Sequence, residues 1–202
     1  MTDVFINYRN GDGEDTAAFI GTELSRRFGS EKIFRASDSI EGGEPFPPRI
    51  LGAVHGSRVV LAVIGDRWAD ARDSSGRKRL EDKLDWVRRE LLAARRYNVR
   101  VIPVLTGGSV RRLNQLDLPA ALSWLRDLQS RRFDSGDVDG SIKRIVDDLI
   151  AFVPGFTPVT AEEDHRSGRA TNTGDNYGPV LMGDGTQLNE TTYNFNDRGG
   201  RR

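Results

Sequence analysis

Short apolar runs alternate with amphipathic helical patterns over residues 1 to about 155. The runs of strand length are residues 4–6, 32–34, 59–64 and 101–105. Apolar side chains at helical spacing lie between and after these runs, in Ala17, Ile20, Leu24 and Phe28, in Ile50, Leu51 and Val54, in Leu84, Val87, Leu91 and Ala94, and in Ile142, Ile145, Leu149 and Phe152. This regular alternation of strand and helix predicts an α/β fold, with a parallel sheet of about five strands and helices on both faces.

Two of the predicted strands also indicate where they lie in the sheet. Residues 59–64 are continuously apolar, which is typical of a strand covered on both faces. Pro103 has no backbone N–H to give to a neighbouring strand, so it indicates that the strand at 101–105 lies towards an edge. Ligands of such sheets bind at the carboxyl ends of the strands. This rule points to residues 7–9, to the residues after Phe34 and to the loop after Ile64.

The polar C-terminal tail differs in kind from the rest of the chain. We predict a domain at 1–155, a linker at 156–170, a distinct segment at 171–196 and a disordered terminus at 197–202. The segment repeats a Gly-Asp step and then alternates polar and aromatic residues over 191–195. Its Asn, Gln, Thr and Gly content favours cross-β stacking, whereas Pro179 and the acidic residues favour a disordered tail, and both interpretations stay open.

Composition removes several classes of function. The 30 Lys and Arg residues balance 30 Asp and Glu residues, so no nucleic-acid or anionic-membrane partner is expected. With no Cys and two His, the chain has almost nothing from which to build a zinc site or a His-based triad, and no metal is predicted. The absence of Cys, of a leader pattern and of a run near the roughly 20 apolar residues of a membrane span leads us to expect a cytoplasmic location.

Several segments, in this order, also carry a family resemblance. In residues 4–29 a strand ends in Asn-Tyr-Arg before the first helix, and residues 33–69 give a strand, a Gly/Pro loop, a helix and a strand. In residues 79–91 a Trp-x-x-x-Glu element precedes the strand within 99–108. Together they resemble the TIR (Toll/interleukin-1 receptor) domain, and the last element resembles its bacterial members. The resemblance implies a flavodoxin-like sheet.

The resemblance also implies one of two kinds of function. The first is an NAD+ nucleosidase that cleaves the nicotinamide–ribose bond, in some members with cyclisation of the product, as part of bacterial immune, anti-phage or cell-death signalling. Such enzymes work after self-association through the TIR domain and its BB loop, residues 36–45; NAD+ is the substrate and no cofactor is expected. The alternative is a non-enzymatic assembly module that recruits partners. The tail loosely resembles RHIM-like bacterial amyloid signalling motifs, which implies a sensor protein with a matching segment.

Glu90 is the candidate catalytic residue. The leaving group of NAD+ is a cationic pyridinium that departs as neutral nicotinamide, so a single carboxylate facing the ribosyl cation is sufficient in principle. Trp86 and Glu90 are four residues apart and share one helix face, where Trp86 would shield the site from solvent. Spacing alone favours a solvated glutamate paired with Arg89 or Arg95; the family motif favours catalysis.

The other substrate-binding candidates follow from the strand-end rule. Arg9 would engage the diphosphate and Tyr8 would stack on a ring, with a cap on the sheet as the alternative for both. Phe34 would stack on a base or lie in the core. Asp38 would bind a ribose hydroxyl or cap the BB loop, and Trp68 would line the pocket or serve packing.

Overall fold

The computed structural model describes residues 2–35, 46–109 and 112–157. The chain divides into two compact units, Met1–Glu163 and Asp164–Arg202, and every described residue belongs to the first. The candidate Asp38, the BB loop and the segment at 171–196 with its amyloid interpretation lie outside the described residues. Within those residues, no helix combines the length and the apolar character that crossing a membrane requires.

The sheet has five parallel strands in the order β2-β1-β3-β4-β5. The strands and α-helices are β1 (Val4–Asn7), α1 (Glu14–Phe28), β2 (Ile33–Arg35), α2 (Phe46–Gly56), β3 (Val59–Ile64), α3 (Trp86–Arg96), β4 (Arg100–Leu105), β5 (Arg131–Arg132) and α4 (Val138–Phe152). Short 3₁₀ helices lie at Ser30–Lys32, Arg79–Glu81, Leu113–Gln115 and Ala120–Asp127. This strand order is the flavodoxin-like one, and the predicted fold class is confirmed.

The core has two halves because successive strand residues point to opposite faces. One half packs α2 and α3 on strand residues that include Phe5, Val60, Ala62 and Leu105. The other half packs α1 and α4 on residues that include Val4, Ile6, Leu61 and Val63. The same alternation assigns Asn7, at the end of β1, to the face covered by α3.

Leu84 does not belong to the core stripe of α3, contrary to the prediction. Asp85 is the N-cap residue, with its side chain accepting a hydrogen bond from the Arg88 backbone N–H, and the helix begins at Trp86. Leu84 therefore precedes the helix and is 74% exposed. Val87, Leu91 and Ala94 keep their predicted buried positions.

Pro103 lies in β4, which is the penultimate strand of the sheet, as expected for a strand that lies towards an edge. The Thr106 N–H donates to the Ile64 carbonyl, on the β3 side. Because donors alternate between the two neighbours along a parallel strand, the Pro103 nitrogen faces β5. β5 pairs only with Val104 and Leu105. The proline thus lies beside a stretch that β5 is too short to cover, and no ladder bond is lost.

Candidate active site

Glu90 lies on the inner face of α3 and is 6% exposed. Its carboxylate Oε2 accepts a hydrogen bond from the Asn7 side-chain amide, with Nδ2 and Oε2 2.6 Å apart. It thus belongs to the buried face together with Val87 and Leu91. This burial excludes the alternative in which Glu90 is a solvated helix charge.

Asn7 connects the end of β1 to α3. Its side chain is fully buried, and Nδ2 also lies 3.4 Å from the carbonyl oxygen of Val87. Arg9 lies two residues beyond the end of β1, and its side chain also reaches the start of α3. Two residues of extended backbone span about 6.6 Å, close to the roughly 7.5 Å spanned by the five helical steps between Asp85 and Glu90. The strand end and the first turns of the helix therefore meet in two matched polar pairs.

The second pair is a buried ion pair between Arg9 and Asp85. The two terminal guanidinium nitrogens lie 2.9 and 3.0 Å from the two carboxylate oxygens, and the side chains are 4% and 2% exposed. Asp85 also caps α3 through the Arg88 N–H at 3.0 Å, and Arg79 approaches its carboxylate at 3.5 Å. Both terminal nitrogens of Arg9 are thus engaged with protein.

Breaking this ion pair is expected to destabilise the protein strongly. Arg9→Met leaves the Asp85 charge buried with only Arg79 and the cap, which should cost about 3 kcal/mol of unfolding free energy. Asp85→Asn keeps a good N-cap residue but strands the guanidinium, with a similar cost. In the double variant the charges are lost together, so denaturant titrations should show a favourable coupling of about 2 kcal/mol. If the changes in unfolding free energy of the two single variants simply add in the double variant, the two charges do not compensate each other.

The Glu90 carboxyl binds its proton unusually tightly. Burial raises the pKa of Glu90 to about 8 from an ordinary value of 4.5, and the negative charge of Asp85 acts in the same direction. The Asn7 hydrogen bond and the Arg9 charge oppose this rise without cancelling it. At neutral pH the resting carboxyl is therefore mostly protonated, and an approaching cation would favour its ionised form.

Tyr8 and Phe34 lie in different surroundings from Glu90. Tyr8 is half-buried against the α1 and α4 half of the core, and the Arg35 guanidinium lies 5.9 Å from its ring centroid. Phe34 is 6% exposed and stacks on Phe5 with ring centroids 5.3 Å apart. Phe34 thus occupies the core position that was its alternative.

The two candidate tryptophans, Trp68 and Trp86, both pack in the core half that contains α3. Trp68 is fully buried, and its indole Nε1 has no hydrogen-bond partner among the described residues. Trp86 is half-buried in the first turn of α3, with the Arg89 guanidinium 4.0 Å from its ring centroid. Arg89 therefore stacks on Trp86, while Glu90 points inward.

Sequence reasoning singled out neither Asn7 nor Asp85 as a partner of the candidate residues. Strand alternation carried one signal, because Asn7 and Arg9 share the face of Phe5. The position of Asp85 directly before the helical pattern carried another, since Asp is a preferred N-cap. What joins these residues to Glu90 is the packing of α3 on β1.

A second group of carboxylates, at the ends of β1 and β3, serves to fix loops. Asp12 accepts a hydrogen bond from the Arg67 N–H at 3.1 Å, and Asp66 accepts from the Gly108 and Ser109 N–H groups at 3.1 and 2.7 Å. Among residues 2–35, 46–109 and 112–157, no three His, Asp or Glu side chains are grouped so as to hold a metal ion.

Comparisons with known proteins agree on the domain. A family model for the TIR domain matches residues 4–146. NAD(+) hydrolase sarm1 of Drosophila melanogaster is 26% identical over 185 residues, which cover 83% of this chain and 13% of that much longer protein.

Solved structures of TIR domains are similar to this chain at low sequence identity. The TIR domains of the activated Roq1 resistosome superpose with a TM-score of 0.56 at 15% identity, covering 74% of this chain and 100% of that one. The TIR domain of the Toll-related receptor TRR-2 from Hydra magnipapillata gives a TM-score of 0.49 at 17% identity, covering 75% and 99%. Since the family model spans well over half of its residues, the chain belongs to the TIR domain family.

Proposed function

We propose that this protein is an NAD+ nucleosidase that cleaves the nicotinamide–ribose bond, with Glu90 as its catalytic carboxylate. The observation that carries the proposal is the buried Glu90–Asn7 pair at the carboxyl end of β1. Burying a carboxyl destabilises its charged form, and groups with pKa values shifted in this way concentrate at functional sites. The NAD(+) hydrolase named above is related over most of this chain, which supports the same choice of substrate.

The proposed reaction needs one negative charge and no general acid. The bond between the ribose anomeric carbon and the pyridinium nitrogen breaks, and its electron pair stays on the nitrogen of the departing nicotinamide. The positive charge passes to the ribosyl group, which the ionised Glu90 would stabilise. Water then adds to the anomeric carbon and releases a proton, giving ADP-ribose; attack by another group of the same molecule would give a cyclic product.

The polar neighbours of Glu90 take different parts in this proposal. Because both terminal nitrogens of Arg9 bind Asp85, we assign Arg9 to fixing the start of α3 instead of to the diphosphate. Trp86 remains the proposed shield of the site, and Tyr8 and Asp38 remain proposals for substrate binding. Phe34 and Trp68 are buried in the core and are not assigned to the substrate.

Self-association is proposed as the activating step. The structural relative from the activated Roq1 resistosome is a TIR domain within an assembly, and TIR domains of the enzymatic type are expected to work after they associate. Turnover per molecule should therefore rise with protein concentration.

Nicotinamide release tests the proposal directly. The purified protein is incubated with NAD+ at low and high concentration and with a crowding agent, and products are separated by chromatography to distinguish linear from cyclic ADP-ribose. NADH serves as the matched control, because it lacks the cationic pyridinium and is expected to stay intact. Absence of nicotinamide release under all of these conditions would exclude the enzyme and favour the alternative, a non-enzymatic assembly module.

A further inference from the structure

We propose that Asn7 is the positioning residue of this site, holding the Glu90 carboxyl in place and controlling when it carries a proton. The catalytic part of this inference rests on the proposed NAD+ cleavage. The contact between Asn7 and Glu90 does not depend on that function, and it can be tested without substrate.

The geometry fixes the Asn7 amide between two elements. Asn7 is fully buried at the end of β1, and its Nδ2 donates to Glu90 Oε2 at 2.6 Å. The same nitrogen lies 3.4 Å from the Val87 carbonyl oxygen, almost one turn earlier in α3. One amide group thus contacts both the backbone of the helix and the candidate catalytic side chain, which restricts the directions in which the carboxyl can point.

The side-chain oxygen of Asn7 indicates a role in controlling the protonation of Glu90. Among the described residues, the buried Asn7 Oδ1 has no hydrogen-bond partner. An ionised carboxylate has no hydrogen to donate to it, whereas a protonated carboxyl has one. The Asn7 donor therefore favours the ionised form of Glu90, and the Asn7 oxygen is a buried acceptor that no described residue occupies.

Among the residues that the structure describes, few charged groups face Glu90. Asp85, the N-cap residue of α3, favours the protonated form, and Arg9 from the end of β1 favours the ionised form. Arg79, from the 3₁₀ helix at Arg79–Glu81, reaches this group through Asp85 at 3.5 Å. Of the described α2 side chains, the titratable His55 lies against Tyr97 at the far end of α3, with ring centroids 4.3 Å apart.

A consequence for the reaction follows from this arrangement. The free enzyme holds a proton on Glu90 at neutral pH, and the cationic substrate favours the carboxylate, so the proton leaves to solvent when NAD+ binds. Below the pKa of about 8, kcat/KM should then fall about tenfold for each unit of pH.

The test that needs no substrate is the titration of Glu90 itself, followed by carboxyl ¹³C NMR and assigned with Glu90→Gln. Asn7→Leu removes the hydrogen bond that stabilises the charge, so the Glu90 midpoint should rise by about one pH unit or more. Asn7→Ser keeps a hydroxyl that can donate, so its Glu90 midpoint should lie between those of the wild type and Asn7→Leu. Asn7→Ser also serves as the second variant should Asn7→Leu fail to fold.

Thr106→Val is the matched control. Thr106 is also a buried polar residue at the end of a strand, where it hydrogen-bonds to Thr16 at 2.9 Å, away from Glu90. Its substitution should leave the Glu90 midpoint unchanged. A midpoint that stays at the wild-type value in both Asn7 variants would overturn the inference.

Kinetics give the second measurement. In Asn7→Ser the fall of kcat/KM at low pH should begin at a higher pH, with activity recovering towards the wild-type value as the pH is raised, whereas Thr106→Val should keep the wild-type profile. A shifted NMR midpoint with no NAD+ cleavage by any variant would reject the proposed function and leave the Asn7–Glu90 coupling standing. NAD+ cleavage with an unmoved midpoint and an unmoved pH profile would reject the coupling and leave the function standing.

Discussion

Glu90→Gln is expected to lower kcat for nicotinamide release from NAD+ by about 10²- to 10³-fold or more. Glutamine has nearly the shape of glutamate and can still accept the hydrogen bond from Asn7 Nδ2. It carries no negative charge at any pH, so it cannot stabilise the ribosyl cation. The loss should appear in kcat and in kcat/KM alike, because the interaction is strongest in the transition state.

Glu81→Gln provides the matched control for charge removal. Glu81 is an exposed glutamate in the 3₁₀ helix at Arg79–Glu81, shortly before α3. Its substitution should leave nicotinamide release within about twofold of the wild type, since surface changes of this kind have small effects. A Glu90→Gln protein that retained wild-type turnover would remove Glu90 from the mechanism.

The same Glu90→Gln substitution is expected to stabilise the folded protein. In the folded state the pKa of Glu90 is about 8, against an ordinary value of 4.5. Between these values the folded state holds more protons than the unfolded state, so the wild type loses stability as the pH rises through this window. Relative to Glu90, glutamine should raise the unfolding free energy by about 3 kcal/mol at pH 7 and about 5 kcal/mol at pH 9.

The local contacts allow this gain to be realised. A glutamine at position 90 can accept from Asn7 Nδ2, as the glutamate does. Its NH₂ group needs acceptors, and the Asn7 Oδ1 is a buried acceptor without a partner among the described residues.

Denaturant titrations at pH 4, 7 and 9 measure the effect. The wild type and Glu90→Gln should converge near pH 4, where both side chains are neutral, and separate as the pH rises. Other titrating groups are common to both proteins and cancel in the difference. Glu81→Gln should follow the wild type throughout, and a Glu90→Gln curve parallel to the wild type at all pH values would show that Glu90 is not strained in its ionised form.

A loss of activity together with a gain of stability would identify the purpose of this carboxyl. Replacing a glutamate that serves the structure should lower the unfolding free energy. Replacing one that serves the chemistry should raise it, because such a residue is kept at a cost in stability. The two measurements on one variant separate these roles.

The strands and helices with strong apolar patterns could be predicted from the sequence. Residues 59–64 read as a strand covered on both faces and are buried along their whole length, and the stripe of α1 buries its predicted residues. Apolar periodicity does not predict an element that has few or no apolar residues. β5 has only two residues, Arg131–Arg132, and neither is apolar; it exists because Val104 and Leu105 offer it a partner.

The candidate site could likewise be predicted only in part from the sequence. Local spacing determined that Trp86 and Glu90 share a helix face, and the chemistry of a cationic leaving group made a lone carboxylate sufficient in principle for the proposed reaction. Only the tertiary structure brought Asn7 to Glu90 across 83 residues and Arg9 to Asp85 across 76. The shift in the Glu90 pKa arises mainly from burial, and burial depends on how α3 packs against β1, which no periodicity along the chain records.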